Sequence, residues 1–175
     1  MTYKINHARE VFKTPLFTVK KVNLTFPDGK QRDYDLIDIQ NAVTILPVDD
    51  EGLVYFVRQY RIGAGGFLLE LPAGKVEADE EPLRTAEREV REETGMSAGE
   101  MLPLGEFYMT PGYANEYMYC YLARGLRHDP LTPDSDEFLD LVKIPLAKVR
   151  EMVAAGEIKD SKSLAVLLLA EKYLG

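Results

Sequence analysis

Tryptophan is missing from this 175-residue chain, and cysteine occurs once, as Cys120. A single thiol excludes an intramolecular disulfide and suits a reducing compartment. Histidine is nearly as scarce. His7 and His128 are too few for a histidine-built metal centre, although one catalytic histidine remains open. The longest apolar run, Leu164 to Ala170, falls far short of the roughly 20 residues a membrane-spanning helix needs. Met1-Thr2-Tyr3-Lys4-Ile5-Asn6 lacks the apolar core of a secretion signal, which predicts a cytoplasmic location. Basic residues are outnumbered, 21 Lys and Arg against 29 Asp and Glu, for a net charge of −8. A field of that sign repels the nucleic-acid backbone. It would equally repel a small phosphorylated molecule unless a cation were bound among the carboxylates.

What remains is an ordinary globular composition, 46% hydrophobic and 29% charged, at a length suited to one domain with a substantial core. No repeat, low-complexity tract or long linker divides the chain. Partial alternation from Leu16 to Phe26 predicts a strand, Pro27-Asp28-Gly29-Lys30 a turn, and Gln31 to Ile39 the returning strand of a hairpin. The near-continuous apolar run Ala42 to Val48 predicts a buried strand, followed after Asp49-Asp50-Glu51-Gly52 by another from Leu53 to Tyr60. A short strand, Phe67 to Leu71, stops at Pro72-Ala73-Gly74. Pro82 then opens a helix that Thr94-Gly95 closes. Strands around Leu104–Met109 and Glu116–Ala123 come next, then an acidic loop from Asp129 to Glu137 and a strand from Phe138 to Ile144. Helices near Leu146–Ala155 and Ser161–Tyr173 complete the pattern, which predicts a mixed sheet with helices on its faces.

The helix beginning at Pro82 carries the chemistry. With Leu83 set at zero and about 100° per residue, Val90 falls near 340° and Ala86 near 300°, an apolar stripe centred around 320°. Glu93 then lies near 280° and Glu89 near 240°, on the shoulder of that stripe, with Glu92 near 180° as a neighbour of Glu89. Carboxylates so placed are unfavourable unless protonated, ion-paired or metal-bound. Arg88 and Arg91 offer pairing. A hard divalent cation offers the other solution, and an all-oxygen set without histidine suits Mg²⁺ or Mn²⁺. Pairing leaves unexplained the glycine turn in front, which could aim the Ala73 carbonyl at a cation beside the helix.

Gly74, five residues, Glu80, seven residues, and then Arg88-Glu89-Val90-Arg91-Glu92-Glu93-Thr94-Gly95-Met96 resembles the Nudix hydrolase signature at every specified position. The flanks extend the likeness over most of the chain, towards the ADP-ribose pyrophosphatase branch. The resemblance implies an α/β (α+β) Nudix fold: a mixed β-sheet flanked by helices in an α/β/α sandwich, over residues 41–175. Residues 1–40 would form an N-terminal β-hairpin extension through which such enzymes make swapped homodimers. It also implies metal-dependent hydrolysis of ADP-ribose or a related nucleoside diphosphate sugar to a nucleoside monophosphate and a sugar phosphate. GDP-mannose or a dinucleoside polyphosphate is the alternative substrate, and a non-catalytic nucleotide-sugar sensor the alternative of another class. No nucleic-acid or membrane partner is implied.

By the same likeness, Glu89 and Glu93 are the main metal ligands, Glu92 completes the cluster, and Ala73 contributes its carbonyl oxygen. Arg88 and Glu80 orient carboxylates, while Gly74 and Gly95 are shape residues. The general base would come from a loop before a strand of the type Glu137-Phe138-Leu139-Asp140, making Glu137 the candidate and Asp136 the reserve. Val57-Arg58-Gln59-Tyr60-Arg61 places Arg61 to grip the diphosphate through its planar fork. Leu69-Glu70-Leu71-Pro72-Ala73-Gly74 offers Glu70 as a substrate contact. Met109-Thr110-Pro111-Gly112 adds Met109, Pro111 and Gly112, with Pro111 lying 16 residues after Gly95, the spacing associated with ADP-ribose-type members. Phe17, Phe26 or Tyr34 would stack on the adenine. Relatives commonly have an arginine near position 34, where this chain has Tyr34: either Arg32, two residues earlier on the same strand face, substitutes for it or the substrate differs. Cys120 reads as a buried small apolar residue.

Overall fold

The computed structural model describes residues 1–132 and 138–174. Twelve strands and three helices are assigned among them. In chain order the strands are β1 (Lys4–Lys13), β2 (Phe17–Thr25), β3 (Gln31–Ile39), β4 (Ala42–Pro47), β5 (Leu53–Arg61), β6 (Gly66–Glu70), β7 (Ala73–Lys75), β8 (Met96–Ser97), β9 (Glu100–Tyr108), β10 (Tyr117–Arg124), β11 (Arg127–His128) and β12 (Asp140–Pro145). The helices are α1 (Pro82–Thr94), α2 (Leu146–Ala154) and α3 (Ser161–Leu174).

The chain falls into two compact units: Met1–Asn41 with Phe107–Tyr117, and Ala42–Glu106 with Met118–Gly175. In the first, β1, β2 and β3 form an antiparallel meander. The expected hairpin is β2–β3, and β1 adds a third strand that the sequence pattern did not reveal. The reason is physical: all ten residues of β1 are exposed, so no burial forces a period on its side chains. The 107–117 segment joins this unit through β3. Ile37 N–H donates to the Tyr113 carbonyl at 2.7 Å, and Asn115 Nδ2 donates to Asp38 Oδ1 at 2.6 Å.

The second unit holds the core. One sheet runs in the order β7-β4-β10-β9, with β10 parallel to β4 and β7 antiparallel to it. A second sheet, β12-β5-β6, is antiparallel throughout, and β8 and β11 make a short ribbon. The expected mixed pairing is found in the first of these sheets, where β4 has a parallel and an antiparallel neighbour. Val43 and Ile45 of β4 and Tyr121 and Ala123 of β10 bury one face against Ala86 and Val90 of α1. Each full burial of a Val or Ile side chain removes apolar area from water worth roughly 1.5–3 kcal/mol. That contact fixes α1 against β4, and β4 in turn pairs with the β7 segment carrying Ala73 and Gly74.

Candidate active site

α1 begins at Pro82, whose missing N–H is harmless at a first helical position, and ends at Gly95 with φ 72°, a left-handed cap. Its buried residues are Thr85, Ala86, Glu89, Val90, Glu93 and Thr94. Leu83, expected to anchor the stripe, is exposed. The buried arc therefore centres near Glu93, at about 280° on the wheel used above. Glu89 and Glu93 sit within that arc at 6% and 9% exposure, not on its shoulder.

Their surroundings explain how the fold tolerates them. Arg88 lies between acids: its Nη1 donates to Glu89 Oε1 at 2.6 Å and to Glu92 Oε2 at 2.8 Å, and its Nη2 donates to Glu80 Oε2 at 3.0 Å. The same guanidinium reaches the Lys75 carbonyl at 3.3 Å. These bonds hold the Arg88 proton more tightly than usual, and Arg88 holds the Glu80 carboxyl below the ordinary carboxylate range. Glu80 also accepts from Thr85 Oγ1 at 2.9 Å. Glu93 Oε2 accepts the Ala73 backbone N–H at 3.0 Å, so the helix grips the strand end directly.

Gly74 accounts for the rest of the packing. A Cβ placed there would lie 1.9 Å from the Glu89 carboxyl carbon and 1.9 Å from its Oε1. No side chain fits, so a glycine is required by close approach rather than by backbone angle.

The ion-pair solution considered above is thus present, with one guanidinium among four carboxylates, Glu80, Glu89, Glu92 and Glu93. Among the described residues, no three acidic, histidine or cysteine side chains already enclose a cation position. The donor chemistry nevertheless fits a hard divalent ion. The set is all oxygen, Glu89 and Glu93 are buried side by side, and Gly74, lacking a Cβ, lets the Glu89 carboxylate pack directly against the strand backbone.

The other expected residues divide among different places. Arg61, on β5, clasps Glu70 of β6 through a two-pronged bond, Nε to Oε1 at 2.8 Å and Nη2 to Oε2 at 2.7 Å. Glu70 is 1% exposed and also accepts from Lys162, so the geometry directs this carboxylate inward. Burial alone would push the Glu70 carboxyl up, but Arg61 and Lys162 together bring it below the usual value. Arg32, Met109, Pro111 and Gly112 belong to the first unit. There Arg32 sits 5.5 Å over the Phe26 ring, which also meets Tyr3 at 5.3 Å and Tyr34 at 6.1 Å. Glu137 and Asp136 lie outside the described residues. Cys120 is buried, and burial pushes its thiol up to about 12.

Sequence reasoning missed Asp160, Lys162 and Ser163. Asp160 caps α3 by accepting the Ser163 N–H at 3.0 Å, and Ser163 Oγ accepts the Leu71 N–H at 2.7 Å. The available signal was Asp160-Ser161-Lys162-Ser163, an N-cap followed by a lysine in the first helical turn, where the helix dipole opposes a cation.

The geometry of this glycine–carboxylate helix agrees with comparison to known proteins. The NUDIX domain model matches residues 38–166, and the chain belongs to that family. Within the family its likeness runs to the ADP-ribose pyrophosphatase branch. It is 33% identical over 162 residues to an ADP-ribose pyrophosphatase of Bacillus subtilis (strain 168), covering 89% of this chain and 88% of that protein. It is 32% identical over 151 residues to a GDP-mannose pyrophosphatase of Yersinia pestis (strain Pestoides F), covering 81% and 76%. A crystal structure of an ADP compounds hydrolase superposes with a TM-score of 0.89 at 27% identity, over 99% of this chain and 95% of that one. Nudix hydrolases use divalent metal ions, in keeping with the oxygen donors on α1. No helix among the described residues is long and apolar enough to cross a membrane.

Proposed function

We propose that this Nudix hydrolase cleaves the diphosphate bond of ADP-ribose or a related nucleoside diphosphate sugar with Mg²⁺, or Mn²⁺ in its place, yielding AMP or another nucleoside monophosphate and a sugar phosphate. The observation that carries the reading is the pair of buried carboxylates, Glu89 and Glu93, packed beside the Gly74 cradle with Ala73 held against Glu93. Glu89, Glu93 and Glu92, with the Ala73 carbonyl, would hold the ion, which supplies a polarised phosphorus, an activated water and charge neutralisation when bound. Arg88 and Glu80 fix the rotamers of that set, the role of groups just outside a metal's own ligands. Arg61 offers its planar fork to the diphosphate oxygens. Glu137, with Asp136 in reserve, accepts the proton of the attacking water as its oxygen bonds to phosphorus and the bridging P–O bond breaks. Arg32, Met109, Pro111 and Gly112 contribute to the nucleotide end, with Phe17, Phe26 or Tyr34 stacking on the base.

The protein acts in the cytoplasm as a homodimer formed through the N-terminal strands. Support comes from the first unit's own burial: Tyr3, Ile5, Phe12 and Leu16 are exposed there, a large apolar area for so small a sheet. GDP-mannose is the second substrate reading, favoured by the likeness to a pyrophosphatase of that specificity. Product analysis over a panel of ADP-ribose, GDP-mannose and dinucleoside polyphosphates, in ¹⁸O water with Mg²⁺, tests the assignment. ADP-ribose should give the highest kcat/KM. Binding of ADP-ribose with no phosphate-ester products after long incubation would replace the enzyme reading with a sensor.

A further inference from the structure

Arg61, offered to the diphosphate above, belongs to a second knot of charge whose other members the reaction scheme does not use. Glu70 Oε1 accepts from Arg61 Nε at 2.8 Å, while Glu70 Oε2 accepts from both Arg61 Nη2, at 2.7 Å, and Lys162 Nζ. Lys162 Nζ also pairs with Asp160 Oδ2 at 2.9 Å. Two acids and two bases thus balance. Their exposures do not: the Arg61 side chain is 43% exposed, against 2% for Glu70 and 9% for Lys162. Of the three, Arg61 is the one whose charge solvent, or a dissolved anion, reaches. It also lies within electrostatic range of Glu93 on the acidic helix.

Lys162 occupies an unfavourable place. Lysine is seldom buried, and a cation in the first turn of α3 opposes the helix dipole. Asp160 and Glu70 compensate it, so the fold spends its α3 N-terminus on delivering a positive charge to a carboxylate that already has Arg61. One partner would suffice to neutralise Glu70; two make sense if one of them leaves.

We infer that Lys162 is a positioning residue: it stays on Glu70 as a standing counter-ion, so that Arg61 can move from that carboxylate to an anionic diphosphate without stranding a buried charge. The inference rests on the reading of Arg61 as a diphosphate-binding side chain. Without Lys162, Arg61 becomes the only cation on Glu70, and pulling it away leaves a buried carboxylate unpaired. Substrate binding then has to overcome that penalty, and KM rises. Neutralising Glu70 removes the penalty, so a second substitution should repair the first.

The test is a cycle of Lys162→Met, Glu70→Gln and the double variant, measured on whichever diphosphate of the panel is turned over best. Lys162→Met should raise KM about tenfold while kcat changes by less than about threefold. Lys162→Arg, which keeps the charge, should recover most of the affinity, and Glu70→Gln in the Lys162→Met background should return KM to within about threefold of the starting enzyme. Arg61→Ala should raise KM and make Lys162→Met nearly silent in its presence. If Arg61→Ala raises KM but Lys162→Met does not, or the double variant is no better than the single one, the counter-ion role is wrong while the Arg61 reading stands. If Arg61→Ala leaves KM unchanged, both fall together. Should Lys162→Met fail to fold, the unsubstituted enzyme gives the answer. The Arg61 Nε–H NMR signal should shift on saturation with an unreactive methylene analogue of the best substrate while the Lys162 Nζ signal persists. An unmoved Arg61 signal would overturn the proposal.

Discussion

The two charge clusters of the second unit are built in opposite ways. At α1, the Arg88 guanidinium serves Glu89 and Glu92 of the helix and Glu80 just before it, with Glu93 beside them, so acids outnumber this base. Around Glu70, one carboxylate holds two cations, and Asp160 restores the balance. The first arrangement is what a cation site needs, because excess negative charge close to buried oxygens attracts a hard metal ion. The second is neutral as it stands, which suits a support that lends one of its members. The acids differ in exposure too: Glu80 and Glu92 are each 20% exposed in the side chain, against 2% for Glu70 and 12% for Asp160. Formal charge and exposure, rather than the mere presence of ion pairs, separate the site from its scaffold.

The largest effect expected is at Glu93. Glu93→Gln keeps the shape and removes the charge, and kcat at saturating Mg²⁺ should drop on the order of 10³-fold or more. An unchanged kcat would put α1 on the same footing as the Glu70 knot. Next comes Gly74→Ala. Its Cβ would overlap the Glu89 carboxylate, so activity should fall on the order of 10²-fold and stability by about 1–3 kcal/mol, read by steady-state kinetics and denaturant melts. Arg88→Ala should lower activity by about 10–100-fold, the usual effect of removing a group that orients metal ligands. The smaller KM effect of Lys162→Met, about tenfold, marks the scaffold side of the comparison.

The smallest effect concerns pH and stability. Glu70 is held below the ordinary value of 4.5 in the folded protein, so its contribution is complete above that pH and is lost as pH falls through the lowered value. Thermal melts of the wild-type protein should therefore lose stability below pH 4.5 more steeply than those of Glu70→Gln. Parallel curves would mean that the Arg61 and Lys162 bonds contribute nothing net.

Much of this was legible in the sequence because burial imposes period and spacing. The bounds of β3 and α1 follow from alternation and from the Pro82 and Gly95 stops, and the carboxylate pattern on α1 names the family. What escaped lacks such a signature. β1 is exposed throughout, so nothing patterns its residues. β7, β8 and β11 are two or three residues long, too short for a period to develop. Leu83 looked like the start of the core stripe because it is apolar, yet tertiary packing rotates the buried arc towards Glu93. Lys162 meets Glu70 across 92 residues of chain, a contact that no local spacing encodes.

The account turns on whether the buried acids of α1 bind the metal that hydrolysis needs. Titrating Mn²⁺ into the wild-type protein and into Glu93→Gln, followed by electron paramagnetic resonance and by turnover in the same samples, measures this directly. The account predicts saturable binding and activity in the first and the joint loss of both in the second. Equal Mn²⁺ binding and equal turnover in the two proteins would contradict it.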